Sequence, residues 1–174
     1  EELARVQAAS TEPVAVIGSG MRFPGGVEDL ESYWHFLRDG VDATRRVPAS
    51  RWDTAAVDDD GSVPVRGSVL EEVAGFDASF FRISPREALD MDPTPRLLLE
   101  VAWESLEHAS LLPAGLEGSR TGVYVGLGLS DYGRRHILGS ENASISAYSG
   151  TGAFLSVAAG RIAYTFGFQG PALT

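Results

Sequence analysis

The stretch that most narrows the folding choices is residues 148–174, YSGTGAFLSVAAGRIAYTFGFQGPALT. Ala153, Ser156, Val157, Ala158, Ala159 and Gly160 leave a surface nearly free of long side chains and apolar on more than one face. That pattern predicts a buried helix packed between other layers rather than one lying on a surface. Gly167 and the Gly170-Pro171 pair cannot continue a helix, so Ala172-Leu173-Thr174 reads as the opening of an extended strand.

The elements before it alternate in the same sense. Val14-Ala15-Val16-Ile17 is short, apolar and largely β-branched, the pattern of a strand covered on both faces in a parallel sheet. Gly18-Ser19-Gly20 follows it like the start of a dinucleotide fingerprint. The third glycine of that motif falls on Phe23, so a helix could not start against a pyrophosphate there. Leu30, Tyr33, Trp34 and Leu37 recur at helical spacing and Gly40 suits a C-terminal cap, predicting an amphipathic helix over residues 28–39 that packs on the sheet. His35 lies beside the stripe as a surface residue, without the companions a metal site needs. Ser84-Pro85-Arg86-Glu87 is a capping box with proline at the first helical position, and Asp92-Pro93 starts a second helix in the same way. Leu97, Leu98, Leu99, Val101, Ala102, Trp103 and Leu106 make this helix apolar over much of its circumference. His108, in its last turn, is placed to complement the helix dipole. Gly122-Val123-Tyr124-Val125-Gly126 reads as a further buried strand. The fold class is therefore α/β.

Several function classes are disfavoured. The formal net charge is −10, against nucleic acid as a partner, because phosphate binding needs clustered cations. No apolar run reaches the length of a membrane span, and no secretory leader opens the chain, which makes a cytoplasmic location the expectation. Asp58-Asp59-Asp60-Gly61 resembles the start of a calcium loop, but the first ligand position would be Ala56 and the closing glutamate position is Gly67. Around Ser130 the nucleophile-elbow spacing fails, because its last glycine position is Tyr132. His136 stands alone in a loop, and no metal site is expected. There is no cysteine, and all 14 basic residues are arginine, so neither thiolate nor lysine chemistry can come from this segment.

The motifs carry a resemblance. Gly160-Arg161-Ile162-Ala163-Tyr164 with Phe166-Gly167-Phe168-Gln169-Gly170-Pro171-Ala172-Leu173-Thr174 resembles the approach to the active site of ketosynthase domains in modular polyketide synthases. The opening Val16-Ile17-Gly18, with Met21-Arg22-Phe23-Pro24-Gly25-Gly26, is similar to the family's first motif, with methionine where a non-nucleophilic cysteine is usual. Met91-Asp92-Pro93-Thr94-Pro95-Arg96 follows its Met-Asp-Pro-x-x-Arg pattern, with Pro95 in place of a common glutamine, a change able to shift the helix start. Arg51-Trp52-Asp53 and Phe76-Asp77-x-x-Phe80-Phe81 resemble further signatures, explained equally well as aromatic anchors for a long loop.

The resemblance implies a thiolase-like fold with a layered α/β/α arrangement, of which residues 13–174 form the N-terminal half, the first of two βαβ-type halves with one sheet face uncovered. Residues 1–12 read as a linker or the end of an N-terminal docking helix. The family continues with Val-Asp-Thr-Ala-Cys, whose cysteine is the nucleophile at a helix N-terminus. The segment thus holds no catalytic residue and alone should be inactive. The implied reaction passes an acyl chain from the phosphopantetheine thiol of an acyl carrier protein to that cysteine. A malonyl-type extender then decarboxylates to a carbanion that attacks the thioester, helped by two histidines and a lysine of the second half. No cofactor binds this segment itself. The implied partners are the C-terminal half, a second ketosynthase subunit in a homodimer, the acyl carrier protein and an acyltransferase domain. Leu129 and Phe154 fall where the family has acyl-pocket residues, and plain core packing is the competing explanation for both. A non-condensing module, either decarboxylating or a structural partner, is the alternative function, distinguished by the residue at the nucleophile position.

Overall fold

The structure, a computed structural model, describes residues 12–51, 66–128, 152 and 154–174. Its elements run α1 (Leu30–Arg38), β1 (Arg45–Arg46), β2 (Arg66–Gly67), α2 (Pro85–Asp90), α3 (Pro93–His108), α4 (Pro113–Leu116), β3 (Val123–Tyr124), a 3₁₀ turn (Leu155–Val157), α5 (Ala158–Phe166) and β4 (Ala172–Leu173). β1 and β2 pair antiparallel, with Arg45 opposite Gly67. β3 and β4 pair parallel, with Val123 opposite Ala172 and Tyr124 opposite Leu173. Parallel neighbours need a crossover between them, and α5 lies on it.

Helix starts follow their local chemistry. Ser84 caps α2 by accepting the Glu87 amide at 3.2 Å, with Pro85 at the first helical position. Asp92 caps α3 by accepting the Thr94 amide at 2.8 Å. Pro95 does not shift that start. It sits in the first turn, where no intrahelical donor is lost, and is buried. α1 begins at Leu30, where Asp29 and Ser32 cap each other's backbone amides.

The core lies between α3 and α5. Phe81, Ile83, Met91, Leu99, Ile162 and Phe166 form it, flanked by Trp103, Val123, Val125 and Phe168. A ladder of rings ties the loop ahead of α2 to this core. Phe76 stacks on Phe81 at 5.4 Å, Phe80 meets Phe81 and Trp103 edge-on, and Trp103 faces Phe166 at 6.2 Å. The anchoring role expected of the Phe76-to-Phe81 motif is thus observed. The small-residue helix is buried as expected through Ala158, Ala159, Ile162, Ala163 and Phe166. It starts later than its composition suggests, because Phe154 is extended and residues 155–157 form only the 3₁₀ turn.

Several expectations are corrected. Residues 14–17 form no strand and are not covered: Val14 is 93% and Val16 91% exposed. An apolar β-branched run encodes a preference for being covered, and no ladder partner for it exists among the described residues. Among the described residues α1 does not pack on a sheet. Leu30, Trp34 and Leu37 are exposed, and the helix is held instead by Tyr33 against Phe23, ring centroids 5.5 Å apart, and by Phe36 beneath Gly25. α3 is less buried than its composition suggests, with only Pro95 and Leu99 fully so. The strand expected over residues 122–126 is ladder-paired only at Val123 and Tyr124, and Tyr124 is exposed.

Candidate functional site

The candidate site is the corner where α5, β3 and β4 meet. α5 stops because Gly167 adopts φ +71°, a left-handed conformation that glycine takes without steric cost, and its amide returns to the Ala163 and Tyr164 carbonyls. The chain then runs back beside residues 119–125. Gln169 donates to the Ser119 carbonyl (2.8 Å) and Gly170 to the Thr121 carbonyl (3.1 Å), while Val123 donates to Pro171 (2.8 Å) and Val125 to Leu173 (2.9 Å). A Cβ on Gly170 would lie 2.4 Å from the Thr121 oxygen, so only glycine allows this approach. The hydroxyl of Thr174 then accepts the amide N–H of Ala159 at 3.0 Å, joining the end of β4 to the first turn of α5.

A second set of contacts holds α5 from the other side. Arg161 pairs with Glu87 at 2.6 Å, both side chains largely shielded from solvent. Arg96 folds back so that its Nε donates to the Met91 carbonyl at 3.0 Å, and Met91 itself is fully buried. The Met-Asp-Pro-x-x-Arg pattern is thereby a corner lock: Met91 fills the core, Asp92 caps α3, and Arg96 ties off the carbonyl between them. Gly152 lies against this corner. Its carbonyl accepts the Asp92 amide at 3.0 Å, and a Cβ there would fall 2.4 Å from the Asp90 oxygen.

The glycines of Gly18-Ser19-Gly20 have a packing purpose. This segment crosses α3 so closely that a Cβ on Gly18 would sit 2.2 Å from the Ser105 oxygen, and one on Gly20 2.4 Å from the Val101 oxygen. Backbone meets backbone, and the space a phosphate would need is occupied by a helix. The amide of Ser19 donates to His108 Nδ1 at 3.2 Å. His108, in the last turn of α3, thus receives a hydrogen bond from a segment far away in sequence. Beyond it Arg22 pairs in bidentate fashion with Glu104, and this hydrogen bond raises the guanidinium pKa above its ordinary value. Burial beside them pushes the Glu100 carboxyl upward; Arg22 opposes that effect and Glu104 adds to it. His35 is a surface residue as expected, 4.0 Å from Glu31.

Phe154 is not on the helix, where its composition places it. It stands in extended conformation ahead of the 3₁₀ turn with its side chain 52% exposed, so the described core does not account for it. Leu129 lies outside the described residues, as do Ser130, His136, Trp52 and the acidic run 58–60. Sequence reasoning misses the Thr174 to Ala159 contact, which no local pattern signals. It also misses the purpose of Gly18 and Gly20, for which the glycine spacing is a signal attached to the wrong partner. Among the described residues no helix is long and apolar enough to cross a membrane.

Comparison with known proteins places this geometry. Residues 11–174 match the family described as beta-ketoacyl synthase, N-terminal domain. The chain is 52% identical over 164 residues to the spectinabilin polyketide synthase system protein NorA′ of Streptomyces orinoci, covering 94% of this chain and 4% of that protein. It is 48% identical over 171 residues to a phenolphthiocerol/phthiocerol polyketide synthase polypeptide of Mycobacterium tuberculosis, covering 95% of this chain and 11% of that one. Among solved structures, an oxazolomycin ketosynthase domain of Streptomyces albus JA3453 superposes with a TM-score of 0.77 at 33% identity, over 93% of this chain and 29% of its own. The ketosynthase from module 6 of the bacillaene synthase of Bacillus subtilis 168 does so with a TM-score of 0.72 at 31% identity, over 91% of this chain and 25% of its own. The chain therefore spans well under two thirds of each of these relatives, and its fold is the thiolase-like α/β fold expected from the sequence.

Proposed function

Because this chain belongs to the beta-ketoacyl synthase family, matching its N-terminal domain over residues 11–174, we propose that residues 13–174 are the N-terminal half of a condensing ketosynthase in a modular polyketide synthase. Residues 1–12 are a linker or the end of a docking helix leading into it. The complete domain takes an acyl chain from the phosphopantetheine thioester of an acyl carrier protein. It holds the chain on a cysteine and extends it by decarboxylative condensation with a malonyl-type unit. Its working partners are the C-terminal half, a second ketosynthase subunit, the carrier protein and an acyltransferase domain, in the cytoplasm. Phe154 and Leu129 contribute to the wall of the acyl pocket. The observation that carries the reading is the likeness to a solved ketosynthase domain over 93% of the chain at 33% identity.

The parts present suit that role. β4 points the chain out of a corner fixed by α5, the Met91-to-Arg96 lock and the Arg161 to Glu87 pair, which supplies a rigid base for a nucleophile carried further along. Phe154 is exposed enough to be a wall. The test is to incubate the complete ketosynthase domain containing this segment with an acyl-pantetheine thioester and weigh it by mass spectrometry. A mass gain of one acyl group on a cysteine following Thr174, and its discharge by malonyl thioester with release of carbon dioxide, is expected. Absence of both, or a glutamine at the nucleophile position, would overturn condensation as the function.

A further inference from the structure

β4 is joined to the rest of the fold by backbone bonds and by one side-chain bond. β4 contributes Ala172 and Leu173. Two backbone bonds to the chain around β3 and the close approach at Gly170 hold the strand as far as Leu173. A side chain adds to these backbone contacts. Thr174 Oγ1 accepts the Ala159 amide at 3.0 Å.

The other end of that bond matters equally. α5 begins at Ala158 after Val157, which has no polar side chain, and no side-chain cap hydrogen bond is made by its own N-cap residue. The first amides of a helix have no intrahelical acceptor. Ala159 is 1% exposed, so water is poorly placed to serve its N–H. Thr174 thus caps the helix from across the structure and in the same contact fixes its own backbone against a buried, rigid element.

We propose that Thr174 is a positioning residue: its hydroxyl, by capping α5 at Ala159, sets the register in which the chain leaves β4 and hence the placement of the nucleophile carried beyond it. This rests on the reading above that the chain is part of a condensing ketosynthase. The role requires a small side chain with an acceptor oxygen, which serine keeps and valine, of nearly the same shape, lacks. A purely space-filling role would rank these replacements in the opposite order.

The experiment uses the complete ketosynthase domain with Thr174→Ser, Thr174→Val and Thr174→Ala, loaded with an acyl-pantetheine thioester. T174V and T174A should lower kcat for acyl loading at least about tenfold with KM within about twofold, because a misplaced reacting atom costs rate rather than substrate affinity. T174S should stay within about twofold of the parent. Amide hydrogen exchange supplies a readout independent of activity: protection at Ala159 should fall in T174V and T174A and persist in T174S. Should T174V fail to fold, T174A carries the comparison. Loading by T174V or T174A at the parent rate, a T174S defect as large as that of T174A, or unchanged protection at Ala159 in T174A would each overturn the inference while leaving the ketosynthase reading intact. A parent domain that loads no acyl group would overturn that reading and this inference with it.

Discussion

Replacing Gly18 by alanine tests the packing explanation of the glycine pair. The added methyl carbon would lie 2.2 Å from the Ser105 carbonyl oxygen and 2.8 Å from the Ala109 Cβ, where real Cβ contacts begin near 3.0 Å. The obstructing atom is helix backbone and cannot swing aside as a flexible side chain would, so the segment or α3 must move. Overpacking of this kind costs about 1–3 kcal/mol, and the rigidity of the obstacle puts Gly18→Ala at the upper end. In a large domain each kcal/mol lowers Tm by roughly 2 °C, so a loss of about 5 °C is expected for the complete ketosynthase domain. Gly126→Ala is the control, because nothing among the described residues lies within 4 Å of its added carbon and its backbone is not left-handed. Thermal unfolding of the three proteins side by side is the assay. A Gly18→Ala protein melting with the parent and the control would refute the packing argument and return the glycine pair to a role in approaching a ligand.

The remaining predictions concern the acyl wall, a partly buried acid and the isolated chain. Phe154→Ala in the complete domain should alter the preferred acyl length while costing less than the roughly 3–5 kcal/mol of a buried phenylalanine, because the ring is already half exposed; unchanged preference with lowered stability would mean plain packing. Burial raises the Glu100 carboxyl above its ordinary 4.5, so the folded state holds that proton longer than the unfolded chain and stability falls as pH climbs through the raised value. Glu100→Gln should abolish this component and melt higher than the parent near neutral pH but not at pH values below the ordinary carboxylate range; equal melting curves at both would sink the argument. Residues 1–174 expressed alone should load no acyl group, for want of any cysteine or lysine, and should self-associate in size-exclusion chromatography. Val14, Val16, Tyr124, Tyr164 and Leu173 all stand exposed. A sharply melting monomer would contradict the second half of that statement.

What is legible in the sequence divides along a physical line. Features decided within a few residues can be read directly: the caps at Ser84 and Asp92, the helix stop at Gly167, the aromatic anchors from Phe76 to Phe81. Each is settled between a side chain and groups close to it in the chain. Features decided by what lies across the fold are read less well. The apolar run at residues 14–17 and the stripe on α1 state correctly that these surfaces want cover, but cover is a property of neighbouring layers, and composition cannot say where those layers stand. The same holds for polar groups. Taken with its own helix alone, His108 is a last-turn residue suited to the helix dipole, and nothing local shows that a backbone amide far away in sequence donates to its ring. Gly18 and Gly20 show the sharper form of the problem: two glycines after an apolar run signal close backbone approach, and only its target is open, a phosphate or a helix. The recurrence of family motifs in order narrows that choice before geometry does, because a motif records long-range partners that local chemistry cannot name. Thr174 escapes both routes. Its neighbours give it no local partner, and within the ketosynthase pattern it reads as one more strand residue, so the Ala159 amide becomes visible as its counterpart only once α5 and β4 are set side by side.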